Sequence, residues 1–234
     1  MNQLSELQEE VKKIADPQRA KFLSGYFKTG KGEYGEGDIF LGITVPVSRQ
    51  FARKYKDLKF SEITKLLKSK FHEKRLIALL ILVHNFNLKD EKIKKEIYEF
   101  YLNNTKHINN WDLVDLSSHE IVGKYLLDKN TDILIKLAKS ENIWERRIAV
   151  ISTFEFIRNN RFNESLMLAK ILLQDEHDLM RKAVGWMLRE IGKRDLKIEI
   201  KFLDEHYRKM PRTMLRYAIE RFPEKLRMSY LKGK

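Results

Sequence analysis

The sequence predicts an all-α fold, and three observations carry that expectation. Apolar residues recur at spacings of three and four along most of the chain. Only four prolines and ten glycines interrupt its 234 residues, so helix breakers are scarce. No stretch shows the apolar–polar alternation of a half-buried strand.

From Ser5 to Lys28 the pattern gives two short helices, broken near Asp16-Pro17. Asp followed by Pro suits a helix start, with an N-cap and then proline at the first helical position. Residues 29–42 hold five of the ten glycines and read as the clearest loop. A further helix begins near Pro46. Leu76, Ile77, Leu80 and Val83 then place a helix over His72 to Val83. Helices are expected near 91–102, 113–127, 131–139, 143–158, 163–173, 178–192, 195–207, 211–221 and 223–230. No tight sequence repeat stands out. Helix pairs nonetheless recur at about the forty-residue spacing of HEAT or armadillo arrays. Such arrays form curved solenoids whose concave faces bind extended partners. A compact orthogonal bundle fits the same local pattern. Either way, residues 1–234 are expected to form a single domain.

Hydrophobic residues make up 43% of the chain, enough for a packed core. Cysteine is absent, which excludes disulfides and thiolate zinc sites. The N-terminal residues mix Glu with Lys and lack the apolar run of a signal peptide. No apolar run is long enough to span a bilayer. These features lead us to expect a cytoplasmic protein with no membrane contact. Basic residues outnumber acidic ones by 46 to 33, for a net charge of +13. The excess is concentrated at the end: residues 206–234 carry nine basic and two acidic groups. A basic end suits a polyanion partner such as nucleic acid, although it also serves solubility.

Two motifs are set aside. Gly30, Gly32 and Gly35 match the dinucleotide fingerprint by spacing, but a helical pattern precedes them, and Glu33, Glu36 and Asp38 would repel phosphate. The six histidines are scattered, and neither His72-Glu73 nor His119-Glu120 has a second histidine four residues on. No metal and no cofactor is expected.

Several residues depart from the simple amphipathic pattern. Trp111 and Asp115 share a helical face, together with Ser118, His119 and Val122. A carboxylate on a partly apolar face is either paired or chemically active. On helix 178–192, Met180, Ala183, Val184, Met187, Leu188 and Ile191 form the apolar stripe. Trp186 lies off it, on the side of Lys182, Arg189 and Lys193, where it could meet a base, a sugar or a neighbouring helix. Arg147 shares its face with Ile143, Val150, Ile151 and Phe154. A guanidinium there needs a carboxylate or phosphate, and Asp115 is one candidate partner. Arg212 and Arg216 stand one turn apart, with Arg208 a further turn back, a row able to clamp a phosphate backbone or simply to face solvent.

Five segments in order resemble the AlkD-type DNA alkylation-repair glycosylases, a HEAT-like repeat family. They are Phe-Leu-Gly-Ile at 40–43 with Pro46, Trp-Asp-Leu-Val-Asp at 111–115, and Asn-Ile-Trp-Glu-Arg-Arg at 142–147. Lys-Ala-Val-Gly-Trp-Met-Leu-Arg-Glu at 182–190 and Arg-Thr-Met-Leu-Arg-Tyr-Ala at 212–218 complete the set. The resemblance runs from about Pro17 to Leu226. It implies a curved superhelical solenoid with double-stranded DNA in its concave face. It also implies hydrolysis of the N-glycosidic bond of cationic N3- and N7-alkylated purines, leaving an abasic site. By the same resemblance Asp115 takes the place of the catalytic carboxylate, Trp111 and Trp186 those of indoles flanking the deoxyribose, and Arg147 that of the arginine near the DNA backbone. Lys182, Arg189, Lys193, Arg208, Arg212 and Arg216 are the expected DNA contacts, and a monomer is expected.

Two features depart from the family pattern. Asn110 stands where a second tryptophan is usual, and the acidic glycine-rich loop at 29–38 replaces a shorter connection. The competing expectation is a non-catalytic HEAT-like scaffold that binds nucleic acid, with Asp115 and Arg147 as a structural pair.

Overall fold

The computed structural model describes residues 2–233. The protein is all-α; among the described residues the sole β-type pairing is an isolated bridge between Ile39 and Phe71. The chain divides into two compact units, one ending at Ser117 and the other beginning at Ser118.

In the first unit, helix α1 spans Gln3–Lys13 and α2 spans Pro17–Tyr26. The Asp16 carboxylate caps α2 by accepting from the Gln18 and Arg19 N–H groups, each at 3.0 Å, and Pro17 opens the helix. After the glycine loop come α3 (Val45–Lys54), α4 (Phe60–Leu67), α5 (His72–Leu88), α6 (Glu91–Asn103) and α7 (Trp111–Asp115). The α5 helix is the centre of this unit. It is apolar on nearly all sides and is packed by α3, α4, α6 and α7. A helix of that composition has to be enclosed, because no face of it suits water.

The second unit opens with a π-helical turn, His119–Gly123, which runs into the short α8 (Lys124–Leu126). The remaining helices are α9 (Asp132–Ala138), α10 (Ile143–Arg158), α11 (Asn163–Ile171), α12 (Asp178–Arg194), α13 (Leu196–His206), α14 (Arg212–Ala218) and α15 (Glu224–Lys232). Here α10 and α12 form the centre. The π-turn, α9 and α11 pack on α10, and α13 and α14 pack on α12. Gly185 lets α12 approach α14 closely: a Cβ there would lie 2.5 Å from the Met214 carbonyl oxygen.

Most expected helices form within a residue or two of the expected limits. The α5 helix runs five residues past its expected end, to Leu88, and three further differences stand out. The α4 helix was not expected. It is only eight residues long, and its start is fixed by the Glu62 carboxylate accepting from the Lys59 N–H at 3.0 Å. The continuous helix expected over 113–127 is instead α7, a turn at Leu116 and Ser117, the π-turn and α8. Ser117 bonds back to the Leu113 carbonyl, which competes with helix propagation. The helix expected over 211–221 ends at Ala218 and continues as a 3-10 turn, Ile219–Arg221.

Candidate nucleic-acid site

Trp111 begins α7, and its half-buried indole is held by aromatic neighbours. Phe27 stacks on it at 4.9 Å between ring centroids, 13° from parallel. Phe27 in turn stacks on Phe40 at 4.9 Å, and Phe40 on His72 at 4.4 Å. Tyr26 meets Trp111 edge-on at 6.1 Å and is 58% exposed; Phe22, stacked on Tyr26, is 69% exposed. The result is a continuous aromatic series running from the surface to the core.

Beneath it lies a buried charge cluster. The His72 Nδ1 lies 3.0 Å from an Asp38 carboxylate oxygen, and its Nε2 lies 2.8 Å from Asp112. Arg75 donates to the other Asp38 oxygen, and the Asn110 amide donates to Asp38 at 2.9 Å. Burial disfavours a charged imidazole, yet Asp112 and Asp38 outweigh it and push His72 up to about 9. Burial would likewise raise the Asp38 carboxyl, but His72, Arg75 and Asn110 hold it below the usual range. Asn110 also caps α7 by accepting from the Trp111 N–H at 2.8 Å.

Asp38 of the glycine-rich loop thus holds Asn110, the residue directly before Trp111. Glu73 anchors the end of the same loop. It accepts from the Leu41 and Gly42 N–H groups at 2.8 Å and from Ile43 at 3.2 Å. Gly42 has φ 83°, and a Cβ there would lie 2.3 Å from the Asp16 carbonyl oxygen.

Asp115 ends α7, one turn from Trp111 and half-buried. Burial, with a contribution from the Asp115 charge, pushes the nearby Tyr101 phenol up. Tyr101 is fully buried and hydrogen-bonded to the Ser117 hydroxyl at 2.9 Å. A carboxylate and an indole on one solvent-reached helical face make an electron-rich edge suited to a cation. Ser118 and Val122 are buried in the second unit. His119 packs edge-on against Phe154 at 5.5 Å, and burial lowers its pKa.

Arg147 and Trp186 belong to the second unit. Arg147 is buried on α10 and donates from Nη1 to the Leu179 carbonyl at 2.8 Å. Trp186 is half-buried on α12. Its Nε1–H donates to Glu190 at 2.9 Å, and Phe154 lies 6.0 Å away. Three of the expected DNA contacts already hold carboxylates. Lys182 pairs with Asp178 at 2.7 Å, Lys193 with Glu190 at 2.6 Å, and Arg189 with Glu220. Glu190 therefore links Lys193 to the Trp186 indole. Arg208 is exposed beside the Tyr207 hydroxyl at 3.0 Å. Arg212 and Arg216 on α14 are exposed and have no carboxylate partner among the described residues. Among those residues no three His, Asp or Glu side chains converge on a point where a metal could be held, and no helix is long and apolar enough to cross a membrane.

Sequence reasoning missed the aromatic support of Trp111 and the charge cluster below it. The only signal was compositional: adjacent aromatics at 26–27, and single charged residues in an apolar setting at 72, 73 and 75.

An all-α chain with a basic C-terminal segment and half-buried indoles has attributes of a nucleic-acid-binding protein. A family model described as "DNA alkylation repair enzyme" matches residues 7–222, and the chain belongs to that family. A solved structure from Enterococcus faecalis, described as a "Predicted DNA alkylation repair enzyme", shares the fold with a TM-score of 0.69. It is 16% identical, and the match covers 90% of this chain and 97% of the other. No curated protein matches the sequence.

Proposed function

We propose that the protein is a DNA glycosylase that hydrolyses the N-glycosidic bond of cationic N3- and N7-alkylated purines in duplex DNA, leaving an abasic site. The observation that carries this reading is the pairing of Trp111 with Asp115 on α7, both half-buried, in a chain of the DNA alkylation repair enzyme family. An alkylated purine already bears positive charge and leaves readily, so little protonation of the base is needed. Positive charge instead develops on the deoxyribose as the bond breaks. Asp115 stabilises that oxocarbenium ion and orients the attacking water. Trp111, one turn away on the same helix, offers an indole face to that cation, and the resemblance gives Trp186 the place of a second indole. Arg147 serves the DNA backbone, and Arg208, Arg212 and Arg216 add phosphate contacts. Lys182, Arg189 and Lys193 contribute to binding only where DNA displaces the carboxylates they now hold.

The test is release of 7-methylguanine or 3-methyladenine from methylated duplex DNA, without added metal, followed by chromatography of the free bases. Steady release supports the reading. Binding to the same DNA with no base released would leave a non-catalytic nucleic-acid-binding scaffold as the function.

A further inference from the structure

The first unit contains a polar cavity of about 250 Å³ that the proposed chemistry does not use. Its cations are Lys68, Lys70, Lys106 and Arg75, and His107 and Asn109 complete the polar wall. The cavity is below the usual size for a drug-like ligand but spacious for a single tetrahedral anion.

The two carboxylates that also line it are already engaged. Asp38 is shared by His72, Arg75 and Asn110, and Glu36 accepts from the Gly32 N–H at 2.8 Å. The three lysines have no carboxylate partner among the described residues; Lys70 lies over the Phe71 ring at 5.5 Å. Arg75 is only 4% exposed. It donates from Nη1 to the Ser69 carbonyl and from Nη2 to Asp38, but its Nε has no partner. The His107 Nε2 and Asn109 Oδ1 are also buried and unpartnered. Each of these three wall residues keeps one buried polar atom unpaired, a costly arrangement.

We propose that this cavity binds a phosphate oxyanion, held by Lys68, Lys106 and Arg75 with His107 alongside. Lysine supplies compact charge for phosphate, and Arg75 adds a fixed positive charge behind it. The surroundings of His107 report the local field. Burial, then the charges of Lys106, Lys68 and Arg75, hold its imidazole below the ordinary value. An anion in the cavity offsets those charges. Asn109 directly precedes the cap of α7, so occupancy also braces the Trp111 helix. The site stands whether or not the chain cleaves N-glycosidic bonds.

The phosphate comes either from a nucleic-acid backbone or from free phosphate. Histidine side-chain NMR on the full chain separates the two, with His107 assigned by its loss in His107→Gln. Inorganic phosphate should shift the His107 signal saturably and raise its pKa by about one unit. The Lys68→Gln/Lys106→Gln double variant should weaken that response by about tenfold or more. If a short undamaged duplex moves the same signal and competes with phosphate, the backbone is the source; if only phosphate moves it, the ligand is free. No shift with either, or a shift the double variant retains in full, overturns the proposal. Base release measured in parallel fails or succeeds independently of this signal.

Discussion

A histidine held between two carboxylates gains proton affinity, and folding stability becomes linked to it. His72 has an ordinary value of 6.5 and is pushed up to about 9 in the folded protein. Its contribution is therefore fully present below pH 6.5 and is lost as pH rises through 9. The gap corresponds to about 3 kcal/mol. Urea unfolding at pH 6, 8 and 9.5 should show falling stability across this window, and His72→Gln should flatten that trend. An unchanged slope in the variant would place the pH dependence elsewhere. Residues of this kind were the least legible in the sequence. Asp38 and Asp112 lie 34 and 40 positions from His72, and no local spacing joins them. Trp111 and Asp115 could be read because helical geometry alone puts residues four apart on one face.

Helices were legible where their apolar pattern was long, as in α5, α10 and α12, and where a cap was written locally, as at Asp16-Pro17. The break after Asp115 was not legible. It follows from a side-chain hydroxyl competing for a backbone carbonyl, and from the π-turn, which an apolar pattern cannot distinguish from ordinary helix. At this scale the α7 start is the sensitive point. Asn110 supplies both its cap and a bond to the glycine-rich loop. Asn110→Ala removes both and should destabilise the fold by about 2–4 kcal/mol in denaturant titrations. A loss under half a kcal/mol would mean that loop and helix do not depend on each other. On α14, Arg212 and Arg216 are exposed and hold no carboxylate among the described residues, whereas the lysines and arginine on α12 do. Replacing both α14 arginines with Gln should make the logarithmic salt dependence of DNA binding shallower by up to about two. Replacing Lys182 alone should change it less, because Asp178 already offsets that charge. Equal effects would show that the ion pairs give way on DNA.

For the whole molecule, helical periodicity with few breakers carried the fold class, and the basic balance pointed to a polyanion partner without deciding it against solubility. Family membership over residues 7–222 agrees with both. No linker rich in glycine or proline accompanies the division into compact units at Ser117 and Ser118. The proposed chemistry rests on residue identity at Trp111, Asp115, Arg147 and Trp186. The account rests on Asp115 acting on the developing cation rather than supporting the fold. The direct measurement is single-turnover release of 7-methylguanine from methylated duplex DNA by the wild type and by Asp115→Asn, with DNA affinity and thermal unfolding recorded alongside. The account predicts a loss of release by about a hundredfold or more, a cost of the size seen when one transition-state charge contact is removed, while affinity and unfolding stay close to those of the wild type. Release at the wild-type rate by Asp115→Asn would contradict it.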